Sequence, residues 1–460
     1  MPRLGRLLAP AVFAAIWWAP LDLKTPAHRL AAIFGAVIVL WITEALPIAV
    51  TALLVAPAMI VTGVCDARTA FAPYADPLLF LFVGGFFIAR AMARHGLDRR
   101  IAAAIVGAPW VGARPRRIRL AFMLAGVLLS MWISNTATTA ILLPILVGTF
   151  SERTPPEAAE GNVLAMAYAC SVGGLGTLVG SPPNLITARL LSETGVEFGF
   201  VRWMTFGLPA ALLLTAVTYL VLGHLAPTPA GETPVEVEVA ERGPWSRGER
   251  VTALAFALAV VGWMVPGLLK AAGLELGATL AAALPGGAVA LLAASVLFAL
   301  TDEEGERVLP WSDATQIDWG IIMLFGGGIS LGSQMVETGL AEAIGRGFIA
   351  ATGIESLFAL TVTVTVFTIF FTEACSNTAS ANMIVPLVLG VAVQLGVDPV
   401  PPALAVGLAA SCAFMLPIAT GPNAIAYGSG LVRPRTMMRV GFALNLVCAA
   451  VIVGLVTLLA

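Results

Sequence analysis

The chain has 460 residues, 59% hydrophobic and 11% charged, with a formal net charge of −2 and a mean hydropathy of +0.93. A soluble domain carries about 25% charged residues, so this composition excludes a soluble enzyme, a disordered chain and a disulfide or collagen-like scaffold. With no basic field, nucleic acid is excluded as a partner. An all-α polytopic membrane protein embedded in the lipid bilayer is the class that remains.

A helix crossing the hydrocarbon core needs about 20 apolar residues. Runs of this kind lie near 7–21, 28–44, 46–63, 77–93, 162–188, 205–225, 250–269, 278–300, 316–336, 402–429 and 437–459. The first of these has no small-residue cleavage site and is expected to be a retained span, within an N-terminal unit 1–27. Two further stretches, 118–149 and 356–395, are each cut by a polar cluster and fit re-entrant hairpins. The expectation is therefore about 11 transmembrane helices plus two re-entrant hairpins. Spans 162–188 and 402–429 are interrupted by Gly180-Ser181-Pro182-Pro183-Asn184 and Thr420-Gly421-Pro422-Asn423. Proline there breaks the helix, and broken helices at membrane depth are tolerated only inside protein or beside a wet cavity.

The hairpin tips repeat. Ser134-Asn135-Thr136 and Ser376-Asn377-Thr378 stand 242 residues apart, as do Pro144 and Pro386, and Gly84-Gly85 and Gly326-Gly327. Gly96-Leu97 and Gly339-Leu340 differ by 243, and Asn184 and Asn423 by 239. The expected organisation is repeat 1 over 28–226, a cytoplasmic linker over 227–249 and repeat 2 over 250–460. Five crossings per repeat force the second to enter from the opposite side, an inverted-topology repeat as in secondary transporters. Segment 94–119 carries seven arginines and one acid. The positive-inside rule then puts it and the N-terminus in the cytoplasm and the C-terminus outside. A bacterial inner membrane is the expected location.

The tips supply neutral oxygens and N–H or O–H donors. Carbonyl, hydroxyl and amide oxygens suit a cation, while half-helix N-termini suit an anion. Two tips facing two breaks bring both together. Glu44, Glu373 and Arg189 fall within apolar runs. For Glu44 and Glu373 structural roles are favoured, Glu44 at the junction of two spans and Glu373 capping a tip or pairing with an arginine. No nucleophile–base set, HExxH, GxSxG or P-loop occurs, so neither catalysis nor ATP-driven transport is expected. The five scattered cysteines offer no metal or redox framework.

These residues resemble the divalent anion:sodium symporter family, whose members transport di- and tricarboxylates or sulfate. The resemblance rests on Trp41-Ile42-Thr43-Glu44-Ala45-Leu46-Pro47, both Ser-Asn-Thr tips, Gly180-Ser181-Pro182-Pro183-Asn184, Trp319-Gly320 with Leu324-Phe325-Gly326-Gly327-Gly328, Thr372-Glu373 and Leu416-Pro417-Ile418-Ala419-Thr420. It implies a homodimer working by an elevator motion, with sodium (Na+) as coupling ion and a small dianionic carboxylate, succinate-like, as substrate. It also implies a first sodium site at Ser130, Ser134, Asn135 and Gly180, and a second at Thr372, the carbonyl of Cys375, Asn377 and Ala419. The anion would meet Asn135, Thr136, Ser181, Asn377, Thr378 and Thr420. At the second break many sodium-coupled members read Ala-Thr-Pro-Pro-Asn, whereas this chain reads Ala419-Thr420-Gly421-Pro422-Asn423. Exchanger-type relatives often carry Thr-Gly-Pro and a stretch similar to Tyr427-Gly428-Ser429-Gly430. Exchange, sulfate transport and, from a different class, an anion channel stay open as alternatives.

Overall fold

A computed structural model describes residues 2–112, 114–150, 154–196, 198–227 and 243–460. The described residues are helical with short connections and hold no strand beyond one isolated bridge, Thr301 to Arg307. Most of the expected linker, 228–242, lies outside them. In chain order the helices begin with α1 (Pro2–Trp18), α2 (Thr25–Thr43), α3 (Ile48–Val61), α4 (Ala67–Phe71), α5 (Pro77–His95) and α6 (Leu97–Val106). Then come α7 (Pro115–Ser130), α8 (Asn135–Gly148), α9 (Pro156–Gly173), α10 (Pro182–Ser192) and α11 (Phe200–Leu225). The second half holds α12 (Arg247–Ala271), α13 (Glu275–Ala283), α14 (Gly286–Ala299), α15 (Trp311–Ala314), α16 (Trp319–Glu337) and α17 (Leu340–Thr352). It ends with α18 (Leu357–Thr372), α19 (Asn377–Leu395), α20 (Val400–Ala409), α21 (Gly421–Gly428) and α22 (Pro434–Leu459).

Seven described helices are long and apolar enough to cross a membrane, or up to nine if each of two bent pairs is one span. The expected eleven counts elements this measure passes over. α1 and α3 are short, and the spans at 162–188 and 402–429 are each two half-helices, α9 with α10 and α20 with α21. Both polar clusters do separate packed helix pairs, α7 from α8 and α18 from α19. α19 alone is nevertheless long enough to cross.

The sequence motifs acquire physical roles here. Gly96 and Gly339 adopt φ +73° and +79° and turn the chain from a glycine-rich helix into α6 and α17. A β-carbon is strained in that left-handed region. α6 and α17 occupy segments that none of the expected spans or hairpins covers. Their apolar stripes pack on α7 and α19, which is how a short amphipathic helix is held.

Helices α7–α11 pack mostly with one another and with α18–α22, while α1–α3, α5, α12, α14 and α16 form a second group. α16 is the seam between them. A Cβ at Gly327 would overlap the backbone of Ala52 on α3, and one at Gly328 would overlap Asn382 on α19. Tyr74 donates to the carbonyl of Ala52 (2.5 Å) and Asn382 Nδ2 to that of Leu324 (3.2 Å). The glycines let backbones approach closely, as between membrane helices generally.

Candidate substrate and cation site

A cavity of about 1040 Å³ lies where the two hairpin tips meet the two breaks. Helices α8, α10, α19 and α21 all start at its wall, with N-cap residues Ser134, Ser181, Ser376 and Thr420 lining it. Thr420 Oγ1 accepts from the N–H of Asn423 (3.2 Å), while the other three N-caps make no side-chain cap bond. Four helix N-termini with spare N–H and O–H donors converge on one space, which favours negative charge there. Among the described residues no arginine, lysine or histidine lines the cavity, whereas Glu44, Asp318 and Glu373 do.

Of the twelve expected site residues, ten line this cavity: Ser134, Asn135, Thr136, Gly180, Ser181, Cys375, Asn377, Thr378, Ala419 and Thr420. Ser130 and Thr372 are fully buried behind the wall. Both sets of oxygen donors draw together. A Cβ placed on Gly174 would sit 2.7 Å from Asn135 Oδ1 and 2.9 Å from the carbonyl of Gly180. Ser130 Oγ and Asn135 Oδ1 are buried and have no hydrogen-bond partner. Thr372 Oγ1 lies 2.8 Å from both Asn377 Oδ1 and the carbonyl of Ala410. The unpartnered Ser130 Oγ, at the C-terminal end of α7, and Asn135 Oδ1 are neutral oxygens of the kind a hard monovalent cation takes. Ser181 bonds instead to Ser411 (2.9 Å).

The breaks are held by side chains whose role was not read from the sequence. Asn184 donates to the carbonyls of Gly174 (2.8 Å) and Thr177 (2.7 Å). Asn423 donates to those of Ala413 and Leu416 (3.0 Å each). Each amide thus closes the carbonyls ten and seven residues before it. Their repetition in sequence was the available signal. Tyr168 donates to the carbonyl of Phe414 (2.7 Å) and packs edge-on against its ring, centroids 5.1 Å apart. Among the described residues Glu373 pairs with no arginine; its carboxylate accepts from the N–H groups of Phe414 (2.7 Å), Met415 (2.8 Å) and Leu416 (3.1 Å). Backbone freed at membrane depth must be satisfied inside the protein, and these four side chains do it.

Glu44 is exposed at the cavity mouth in the left-handed conformation, φ 48°. The mouth is formed by the α2–α3 turn and the start of α16, including Asp318 and Gly320. Arg189 of α10 pairs with Asp76, the N-cap of α5 (2.5 Å), and with Glu193 (3.2 Å), while Ser333 of α16 donates to Glu193 (2.5 Å). Ser333 lies about 20 Å along α16 from the mouth at 1.5 Å per residue.

Helix breaks and paired polar tips around one cavity define the chain as a membrane transporter rather than an enzyme. The family model for the sodium:sulfate symporter transmembrane region matches residues 3–459, and the chain belongs to that family. A sodium-dependent dicarboxylate transporter, SdcS, of Staphylococcus saprophyticus is 34% identical, the match covering 98% of this chain and 90% of the relative. SdcS of Staphylococcus aureus is 33% identical over 98% and 89%. Among solved structures, the YdaH transporter of Alcanivorax borkumensis shares the fold with a TM-score of 0.56 at 16% identity, over 98% of this chain and 96% of that one. MtrF of Neisseria gonorrhoeae does so at 0.56 and 11% identity, over 96% of each chain.

Proposed function

We propose that the chain is a secondary active transporter that carries a small dicarboxylate, succinate-like, together with sodium. The observation behind the sodium coupling is the charge of the cavity. Glu44 and Asp318 stand in its lining with, among the described residues, no basic side chain, and the Glu373 carboxylate there is taken up by backbone N–H groups. A dianion entering alone meets N–H and O–H donors but no compensating charge. Sodium bound at Ser130, Ser134, Asn135 and Gly180, and at Thr372, Cys375, Asn377 and Ala419, neutralises it. The unpartnered oxygens of Ser130 and Asn135 fit that role. Asn135, Thr136, Ser181, Asn377, Thr378 and Thr420 then hold the carboxylates. The names of the SdcS relatives agree on both ion and substrate class.

Transport proceeds by an elevator motion in a homodimer, with α7–α11 and α18–α22 moving against the α16-bearing group. The N-terminus is cytoplasmic and the C-terminus outside, in an inner membrane, with two inverted repeats at 28–226 and 250–460. Support comes from the arginine-rich segment 94–119, the repeat spacing and the glycine seam of α16. The Arg189–Asp76 ion pair and the Ser333–Glu193 hydrogen bond join the two groups and break in each cycle. Exchange without sodium is the second reading, favoured by Gly421, where a Cβ would overlap Thr136 Oγ1. Uptake of labelled succinate into proteoliposomes, competed by citrate and by sulfate, tests the substrate class. Succinate-type dicarboxylates compete best if the reading holds, and stronger competition by sulfate overturns it.

A further inference from the structure

We propose that Glu373 is a positioning residue of the second cation site, fixing its hairpin half against its unwound half. The proposal rests on the sodium-coupled reading above. The expected ligands come from two pieces of chain. Thr372, Cys375 and Asn377 belong to the hairpin, and Ala419 to the segment between α20 and α21. A site split in this way has a defined geometry only if something holds the pieces together.

Glu373 spans that gap. Its Oε1 accepts from Phe414 N (2.7 Å), Met415 N (2.8 Å) and Asn445 Nδ2 (2.8 Å), and its Oε2 from Leu416 N (3.1 Å). Three successive backbone N–H groups form a concavity for an anion, and the glutamate side chain fills it. The residue is 5% exposed and Asn445 is fully buried, so water has little access to this carboxylate. An ionised carboxylate is acceptor-only and matches four donors with no mismatch.

The first half of the molecule is built differently. Met131 stands 242 residues before Glu373 and brings no carboxylate. There Thr177 Oγ1 donates to the Met131 carbonyl (2.5 Å) and Trp203 Nε1 to the Leu175 carbonyl (2.9 Å). Residues 174–176 keep a turn of 3-10 helix, so that break needs no outside acceptor for its N–H groups. Residues 412–416 have no helical turn and take their acceptor from the hairpin. Glu373 therefore acts on one cation site, not on the cavity as a whole.

Glu373→Gln keeps the shape but sets an NH2 group against at least one of the four donors. Groups that orient metal ligands change affinity by about 10–100-fold when altered, so half-saturating sodium for succinate uptake rises about tenfold or more. The succinate KM at saturating sodium and the maximal rate change by less than that. A merely structural role predicts the reverse, a lower yield of folded protein and maximal rate at unchanged half-saturating sodium, and that result overturns the proposal. If Glu373→Gln does not fold, Asn445→Ala removes one donor and leaves the carboxylate. It gives a smaller rise in the same direction, and no rise overturns the proposal. Sodium titration of the thermal midpoint of the purified protein separates the two levels. A wild-type midpoint indifferent to sodium refutes sodium binding itself and the proposal with it. A sodium-sensitive wild type with an equally sensitive variant refutes only the role of Glu373.

Discussion

Truncating Asn423 to alanine tests how the broken helices survive in the membrane. Its amide donates to the carbonyls of Ala413 and Leu416. The Leu416 carbonyl also accepts from the N–H of Ala419 (3.2 Å), so it keeps a partner, whereas no other donor to Ala413 O is present among the described hydrogen bonds. One orphaned buried carbonyl costs about 1–3 kcal/mol, and a lost second bond about 1 kcal/mol. Asn423 Oδ1 is itself unpartnered, so removing it returns a little. The net loss is about 2–4 kcal/mol. Asn184→Ala is its counterpart, with the Gly174 carbonyl in the place of Ala413 and the Thr177 carbonyl still reached by Gly180 N (3.4 Å). Thermal unfolding in detergent is the assay, with a midpoint several degrees lower expected for each variant. Wild-type midpoints in both would refute the idea that these amides hold the breaks.

The tip asparagines behave oppositely. Asn135→Ala and Asn377→Ala abolish uptake; Asn135 Oδ1 has no hydrogen-bond partner to lose, so its variant keeps the thermal midpoint within a degree or so, whereas Asn377→Ala also gives up the bond from Thr372 Oγ1 (2.8 Å) and falls slightly further. Gly421→Ala forces Thr136 off the wall and raises the anion KM with little loss of stability, read by uptake kinetics. Asp76→Asn removes one of the two ion-pair partners of Arg189 and loosens α10 from the start of α5. A cysteine introduced beside Asp76 then becomes more accessible to a membrane-impermeant thiol reagent.

Much of the site was legible in the sequence because it is polar where all else is apolar. The tips at 134–136 and 376–378 and the breaks at 180 and 420 stand out against 59% hydrophobic residues, and the cavity gathers ten of the twelve expected residues. Glu373 carried no such signal. A lone glutamate near a tip reads equally as a cap or as half of an ion pair, and its partners are backbone N–H groups 41–43 residues away. Asn184 and Asn423 showed their repetition but not their acceptors, since which carbonyls a break frees depends on where each helix unwinds. α6 and α17 fall outside the expected spans because their charged faces break the apolar run, although their buried stripes hold them to α7 and α19. The span count differs because half-helices and short helices satisfy the membrane only when packed together.

The central claim, a dicarboxylate moved on neutral donors with sodium supplying the charge, is tested most directly by uptake into proteoliposomes with and without an inward sodium gradient. The account predicts concentrative succinate uptake that collapses when sodium is replaced by potassium or choline. Equal uptake without sodium, accelerated by carboxylate loaded inside the vesicles, would contradict it in favour of exchange.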